Sequence, residues 1–304
     1  MALGTRGLYP EPSHETAGTL DLLVVGVASR DLVADDPRGW RLGGAAMYCS
    51  LMAARLGLRV GCVVGVDRSA STADELDLLE AAGVDLRRVE LERGPVFENI
   101  EVDGHRRQKW LSKSDLIPLA ALPDEWKTAR ARLIVPVAGE LGDEWAWAAT
   151  GGAQCFVGVG WQGLIREFAA DGWVEGIAPG RSPLLDAASL IVASVDDIEG
   201  ATKLARLREL APRASIVLTA GEGGGVALGE GVVRRYRAIP AVHFVDATGA
   251  GDVFLAALTA AWLFTGQVAT PAALRFAAAA ASCSVEGAGL AGVPTRAQVA
   301  ARLR

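Results

Sequence analysis

The chain has 304 residues, 51% of them hydrophobic, and carries a formal net charge of −6. That length suits one large domain or a domain with a small second one, and the apolar share can build a large core. The mild acidity argues against nucleic acid or an anionic membrane as main partner. Cys49, Cys62, Cys155 and Cys283 are too scattered, and His14, His105 and His243 too few, for a zinc site or a disulfide framework.

Residues 1–18 are polar, carry Pro10 and Pro12, and lack the basic-then-apolar layout of a signal peptide. They read as a flexible arm before a folded domain at 19–304. The longest apolar runs, near 253–264 and 276–285, fall short of the ~20 residues that span a bilayer. The expectation is a soluble, cytoplasmic protein.

Leu20–Val27 has the β-branched, almost wholly apolar pattern of a buried strand. Asp31 follows four residues later. Gly43-Gly44 then opens an alanine-rich helix that stops at Gly57. Arg59–Val66 is a second buried strand, followed by Asp67 and an acidic helix to Ala82. The spacing leaves room for the helical crossovers of parallel α/β layers. Residues 86–112 differ: charged and aromatic residues alternate, with Asp103-Gly104 placed as a hairpin turn. With about 32–42 they predict a small β-sheet having one wet face. Its polar candidates for touching a ligand are Asn99, Arg106 and Gln108.

Ala131–Val137 and Gln154–Val159 predict further core strands around an acidic, tryptophan-bearing helix at about 142–150. Gly158-Val-Gly160-Trp-Gln-Gly163 fits the dinucleotide pattern Gly-x-Gly-x-x-Gly, as does Gly287–Gly292. The second follows a helical stretch and precedes Pro294, so only the first supports a dinucleotide-binding oxidoreductase. Gln162 and Arg166 could instead face a ligand from a strand end. Ser189–Ser194 is another strand. Ser194 caps the turn after it, and Asp196, Asp197 and Glu199 follow. Ala214–Thr219 leads into a glycine-dense turn holding Gly221, Gly223 and Gly224. Val232–Ala238 and Ala241–Val245 read as strands, and Pro271–Val285 as an alanine-rich helix.

Asp246-Ala-Thr248-Gly249-Ala250-Gly251-Asp252 runs directly into the apolar helix Val253–Phe264. The first N–H groups of such a helix lack internal partners and attract anions, and the glycines let an anion approach the backbone. Asp252 is anomalous there, because a carboxylate repels an anion. It fits where a base must stand beside a phosphoryl group to deprotonate an attacking hydroxyl.

Asp-x-Thr-Gly-Ala-Gly-Asp resembles the C-terminal signature of the ribokinase-like (pfkB) carbohydrate kinases. Gly43-Gly44 before its helix resembles their N-terminal signature. The resemblance implies a three-layer α/β/α fold with a mostly parallel central sheet and a small β lid. It implies ATP-dependent phosphorylation of a hydroxyl on a sugar, polyol or nucleoside, with magnesium and a monovalent cation, potassium, as cofactors. Asp252 is then the base, and Gly249, Ala250 and Gly251 the anion hole. Asp31, Gly43, Gly44, Tyr48, Asn99, Arg106, Gln108, Gln162 and Arg166 face the acceptor. Thr219, Gly221, Gly223, Gly224, Thr248, Ala278 and Ser282 face the nucleotide, while Asp197 and Asp246 serve the metals. Two departures stand out. Tyr48 occupies a place where many members carry asparagine, which points away from ribose and toward a polyol such as inositol, or a nucleoside. Ser194 stands where the family places asparagine. These departures also keep open a non-catalytic sugar or nucleotide sensor. No Gly-x-x-x-x-Gly-Lys-Ser/Thr loop occurs. An exposed lid edge would allow a homodimer.

Overall fold

The computed structural model describes residues 19–102, 105–149, 155–178, 180–198, 204–229 and 231–304. The expected arm at 1–18 and the Asp103-Gly104 turn lie outside the described residues, as does the side chain of Arg106.

The chain begins with β1 (Leu22–Val27), β2 (Ser29–Leu32), β3 (Trp40–Gly43) and α1 (Ala45–Arg55). β4 (Val60–Asp67), α2 (Asp74–Ala81) and β5 (Val84–Leu91) follow, then β6 (Val96–Val102) and β7 (His105–Ser112). The middle of the chain supplies β8 (Ala131–Val135), α3 (Glu144–Ala149), β9 (Phe156–Gly160) and the short β10 (Arg166–Phe168) and β11 (Val174–Gly176). Next come α4 (Pro183–Ala187), β12 (Leu190–Ser194), α5 (Leu204–Leu210), β13 (Ser215–Thr219), β14 (Gly225–Gly229) and β15 (Val232–Tyr236). The chain closes with α6 (Ala250–Thr265), α7 (Pro271–Ser284) and α8 (Arg296–Arg302).

Among the described residues the central sheet has nine strands in the order β15-β14-β13-β12-β9-β8-β1-β4-β5. It is parallel from β13 to β5, and β14 and β15 add antiparallel at one edge. β1, β4 and β8 are buried along their whole length, as strands covered on both faces must be. Helices cover the sheet in the expected three-layer architecture. α1 packs on β1 and β4, and α6 packs on β9 and β12 while touching both α1 and α7.

The smaller sheet has the order β3-β2-β6-β7. Its boundaries correct the expected lid at 32–42 and 86–112. It starts at Ser29, and Val84–Leu91 pairs in parallel with β4 as the outermost strand of the central sheet. β5 is exposed or half-buried along all but its two end residues, as an edge strand is, and its mixed charged and apolar sequence resembles that of a small one-sided sheet. A second correction concerns Ala241–Val245, which forms no strand. Its backbone crosses instead to the end of α7: Val245 N–H donates to Val285 O at 2.8 Å, and Asp246 N–H to the same oxygen at 3.2 Å. Val242 and Phe244 are left 81% and 67% exposed.

The β10–β11 hairpin docks on the outer edge of β7. Trp110 N–H donates to Gly172 O at 2.9 Å, its indole N–H donates to Ala169 O at 3.0 Å, and Phe168 stacks with Phe97. The chain thus covers part of the sheet edge that suggested pairing with a second subunit. Cys49, Cys62 and Cys283 are buried free thiols, whereas Cys155 is only partly buried. No helix among the described residues is long and apolar enough to cross a membrane.

Candidate active site

A cleft of about 1050 Å³ opens at the carboxyl ends of the parallel strands, between the small sheet and the tip of α6, where ligands bind in open α/β sheets. Two glycines set its floor. Gly44, the residue before α1, has φ +99°, and a Cβ there would lie 2.5 Å from Val27 O. Gly249, the residue before α6, has φ +77°, and a Cβ there would sit closer than 3.0 Å to several atoms of the Tyr48 ring. Tyr48 is 3% exposed. The aromatic that replaces asparagine therefore packs beneath the signature turn. Next to it, the Cys49 thiol donates to Asp252 O at 3.4 Å, joining α1 to the first turn of α6.

Asp252 is half-buried in that first turn and lines the cleft. Desolvation pushes its carboxyl up to about 7; Arg166 opposes this and the negative charge of Asp197 adds to it. The carboxylate is thus held near the point where a base can take a proton at neutral pH. Gly249, Ala250, Gly251 and Thr248 line the cleft beside it.

On the small-sheet side, Asp31, Tyr48, Asn99, Gln108, Gln162 and Arg166 all line the cleft. Arg166 is the hub. Its Nη1 donates to Gln108 Oε1 at 3.1 Å and its Nη2 pairs with Asp197 Oδ1 at 3.3 Å. Gln162 sits with its carbonyl oxygen toward the same guanidinium, the orientation in which the amide meets donors with an acceptor. Gly43 does not line the cleft; it backs Asp31, with its Cβ position 3.3 Å from Oδ2.

On the opposite side, Thr219, Gly221, Gly224, Ala278 and Ser282 line the cleft, while Gly223 does not. Thr219 Oγ1 donates to Ala193 O at 3.4 Å. An apolar shelf adjoins them, formed by Ile239, Pro240, Val242, Phe244, Ala281 and Val285. The shelf is tied down by residues that the sequence reading did not single out. Arg302 donates to Pro240 O, to Ser282 Oγ and to both oxygens of Glu286, and Glu286 Oε1 accepts from Val242 N–H at 2.6 Å. Nothing local in the sequence marks Arg302, because its partners come from two distant stretches, Pro240 and the end of α7 at Ser282 to Glu286. Tyr236, stacked on Phe254, and Trp161 also reach the cleft wall.

The two metal candidates differ in setting. Asp246 is not in the cleft wall. Its Oδ1 accepts from Thr248 N–H at 2.9 Å and its Oδ2 from Gly289 N–H at 3.2 Å, so it clamps the signature turn to the loop after α7. Asp197 lines the cleft but is paired with Arg166, whereas its neighbour Asp196 is exposed there. Among the described residues no three His, Cys, Asp or Glu side chains cluster as a metal cage. Magnesium held mainly by phosphates and water needs only one or two carboxylates, and Asp196 with Asp197 fits that.

The dinucleotide reading fails on topology. Gly158 and Gly160 lie on β9 itself, and Gly163 sits in a short turn that leads to β10 rather than to a helix. The helix N-terminus that holds a pyrophosphate in that motif is missing. Gly287–Gly292 likewise follows α7, not a strand.

Residues 183–296 match the family model described as pfkB family carbohydrate kinase. No curated protein matches the chain. Among solved structures, a pyrophosphate-dependent myo-inositol-1 kinase converted by mutation into a myo-inositol-3 kinase superposes with a TM-score of 0.72. It is 17% identical, over 93% of this chain and 98% of that one. Arabidopsis thaliana ribokinase complexed with ribose and ATP gives 0.67 at 19% identity, covering 94% and 99%. The Methanocaldococcus jannaschii nucleoside kinase gives 0.69 at 17%, covering 94% and 99%. Those identities speak for the fold, and the family model covers the stretch from the start of α4 to the start of α8. The chain therefore has the ribokinase-like fold, and its residues 183–296 carry the match to the pfkB family carbohydrate kinase model.

Proposed function

We propose that the protein is an ATP-dependent kinase that phosphorylates a hydroxyl of a small sugar or polyol, with a nucleoside as the alternative acceptor. One observation carries the reading: Asp252 lines the cleft in the first turn of α6, between the polar small-sheet side and the apolar shelf. The acceptor lies against Asp31, Asn99, Gln108 and Gln162. The donor phosphates lie at the Gly249–Gly251 tip, where first-turn N–H groups meet the charge that develops in transfer, a preorganised effect of roughly 3–4 kcal/mol per donor in other enzymes; the Ala250 N–H donates to Ala247 O at 3.2 Å without a ligand. Asp252 takes the proton of the attacking hydroxyl, which commonly contributes about 10²–10⁴-fold. Asp196 and Asp197 would hold magnesium together with the phosphates, and the ion would supply charge neutralisation. A potassium ion at Asp246 would have to share oxygens that already accept from Thr248 and Gly289. Closure of the small sheet excludes water from the reacting atoms.

The apolar shelf favours a nucleoside triphosphate over pyrophosphate as donor, since pyrophosphate has no apolar part to cover Val242, Phe244 and Val285. The test is Asp252→Asn assayed by ADP release against ribose, fructose, myo-inositol, sugar acids and adenosine. The substituted protein should bind ATP as before and lose nearly all turnover; turnover at the original rate rejects the base assignment. Binding of sugars with no ADP release from the unsubstituted protein would instead favour the sensor.

A further inference from the structure

The acceptor wall has a direction built into its hydrogen bonds. A guanidinium only donates, so each group facing Arg166 must turn an oxygen toward it. Gln108 does so at 3.1 Å, and its amide nitrogen then donates to Asn99 Oδ1 at 3.2 Å across the paired strands β6 and β7. Asn99 is left with its N–H₂ directed elsewhere, and that group has no protein partner among the described residues. Gln162 likewise presents its oxygen to Arg166 and turns its nitrogen away. Asp197 holds the other side of the guanidinium, so the chain of amides has one sense. The cleft wall thus offers the N–H groups of Asn99 and Gln162 beside the carboxylate of Asp31, and Arg107, stacked on Trp173, also lines the cleft.

We propose that the acceptor is a polyhydroxy acid, whose carboxylate oxygens accept from the Asn99 N–H₂, and that Arg166 is the positioning residue that fixes this polarity. The inference rests on the kinase reading only for the word acceptor; the binding preference stands on the amide chain. A ligand that offers a hydroxymethyl group in place of the carboxylate meets these half-buried donors less well, and sites built around hydrogen bonds discriminate against such mismatches.

The experiment is calorimetric titration of the full chain with D-gluconate and with D-glucitol, which share a hydroxylated six-carbon skeleton and differ at C1. Gluconate should bind about tenfold or more tightly than glucitol, a modest discrimination for such a site. Gln108→Glu gives Arg166 and Asn99 an acceptor each, which turns the Asn99 carbonyl outward. Gluconate should then weaken by about tenfold while glucitol strengthens, opposite movements that loss of structure cannot produce. If that protein does not fold, Asn99→Ser removes the N–H₂ without adding charge and should bring gluconate down to the glucitol level. Equal binding of the two ligands, tighter glucitol, no binding of either, or both moving together in Gln108→Glu overturns the proposal. ADP release separates the two readings. A gluconate preference without any ADP release rejects the kinase and keeps the polarity. ADP release confined to neutral polyols does the reverse.

Discussion

Gly249→Ala tests how the site is built. The residue has φ +77°, and a Cβ there enters the ring of Tyr48, which is buried to 3% exposure. Placing alanine in the left-handed region costs roughly 1–2 kcal/mol. Forcing a methyl into a packed aromatic costs a further ~1–3 kcal/mol. The sum, roughly 2–5 kcal/mol, is a large part of the ~5–15 kcal/mol that holds a domain folded. Urea unfolding followed by tryptophan fluorescence measures it as a fall in midpoint at unchanged slope. The two contributions separate in a double-mutant cycle with Tyr48→Ala: the steric part disappears when the ring is gone, and the backbone part remains. The expected coupling is about 1–3 kcal/mol. A loss below ~1 kcal/mol, or single effects that simply add, would show that Tyr48 does not support the signature turn.

The pH dependence follows from Asp252. Desolvation holds its carboxyl at about 7, so kcat/KM should rise with pH and reach half its plateau near that value; a profile flat across neutral pH rejects the assignment. Because the folded value lies above the unfolded one, its contribution to stability is present at low pH and lost as pH rises through about 7. Asp252→Asn should therefore raise the ligand-free melting midpoint more at pH 8 than at pH 5, as read by calorimetry. Arg302→Ala should raise KM for ATP several-fold with little change in acceptor KM, since it frees Pro240 and the Val242 segment; equal effects on both substrates would deny it a role in the shelf. Glu140 is wholly buried, and burial pushes its carboxyl up while backbone N–H groups of Ala138 and Val137 pull it down. Glu140→Gln sets an N–H₂ against one of those donors and should cost about 1–3 kcal/mol in urea unfolding, with acceptor KM rising because Val137 lines the cleft.

The sequence by itself determined the class of fold and the centre of the donor half. Strands such as Leu22–Val27 and Ala131–Val135 are buried on both faces, so their composition alone reads as a parallel core. The signature 246–252 is legible because a glycine turn, a helix start and a carboxylate are all local features. The tertiary structure decided what depends on neighbours far along the chain. It sent Val84–Leu91 to the edge of the central sheet and 241–245 to α7, since alternation and β-branching describe a surface without naming the strand or helix beside it. It placed Tyr48 under Gly249, drew Arg302 to the shelf, and gathered Gln108, Gln162 with Arg166, and Asp197 from three segments into one hydrogen-bonded chain. Hydrogen-bond direction is a property of partners, and partners separated by 31 or 203 residues leave no pattern within a stretch of sequence.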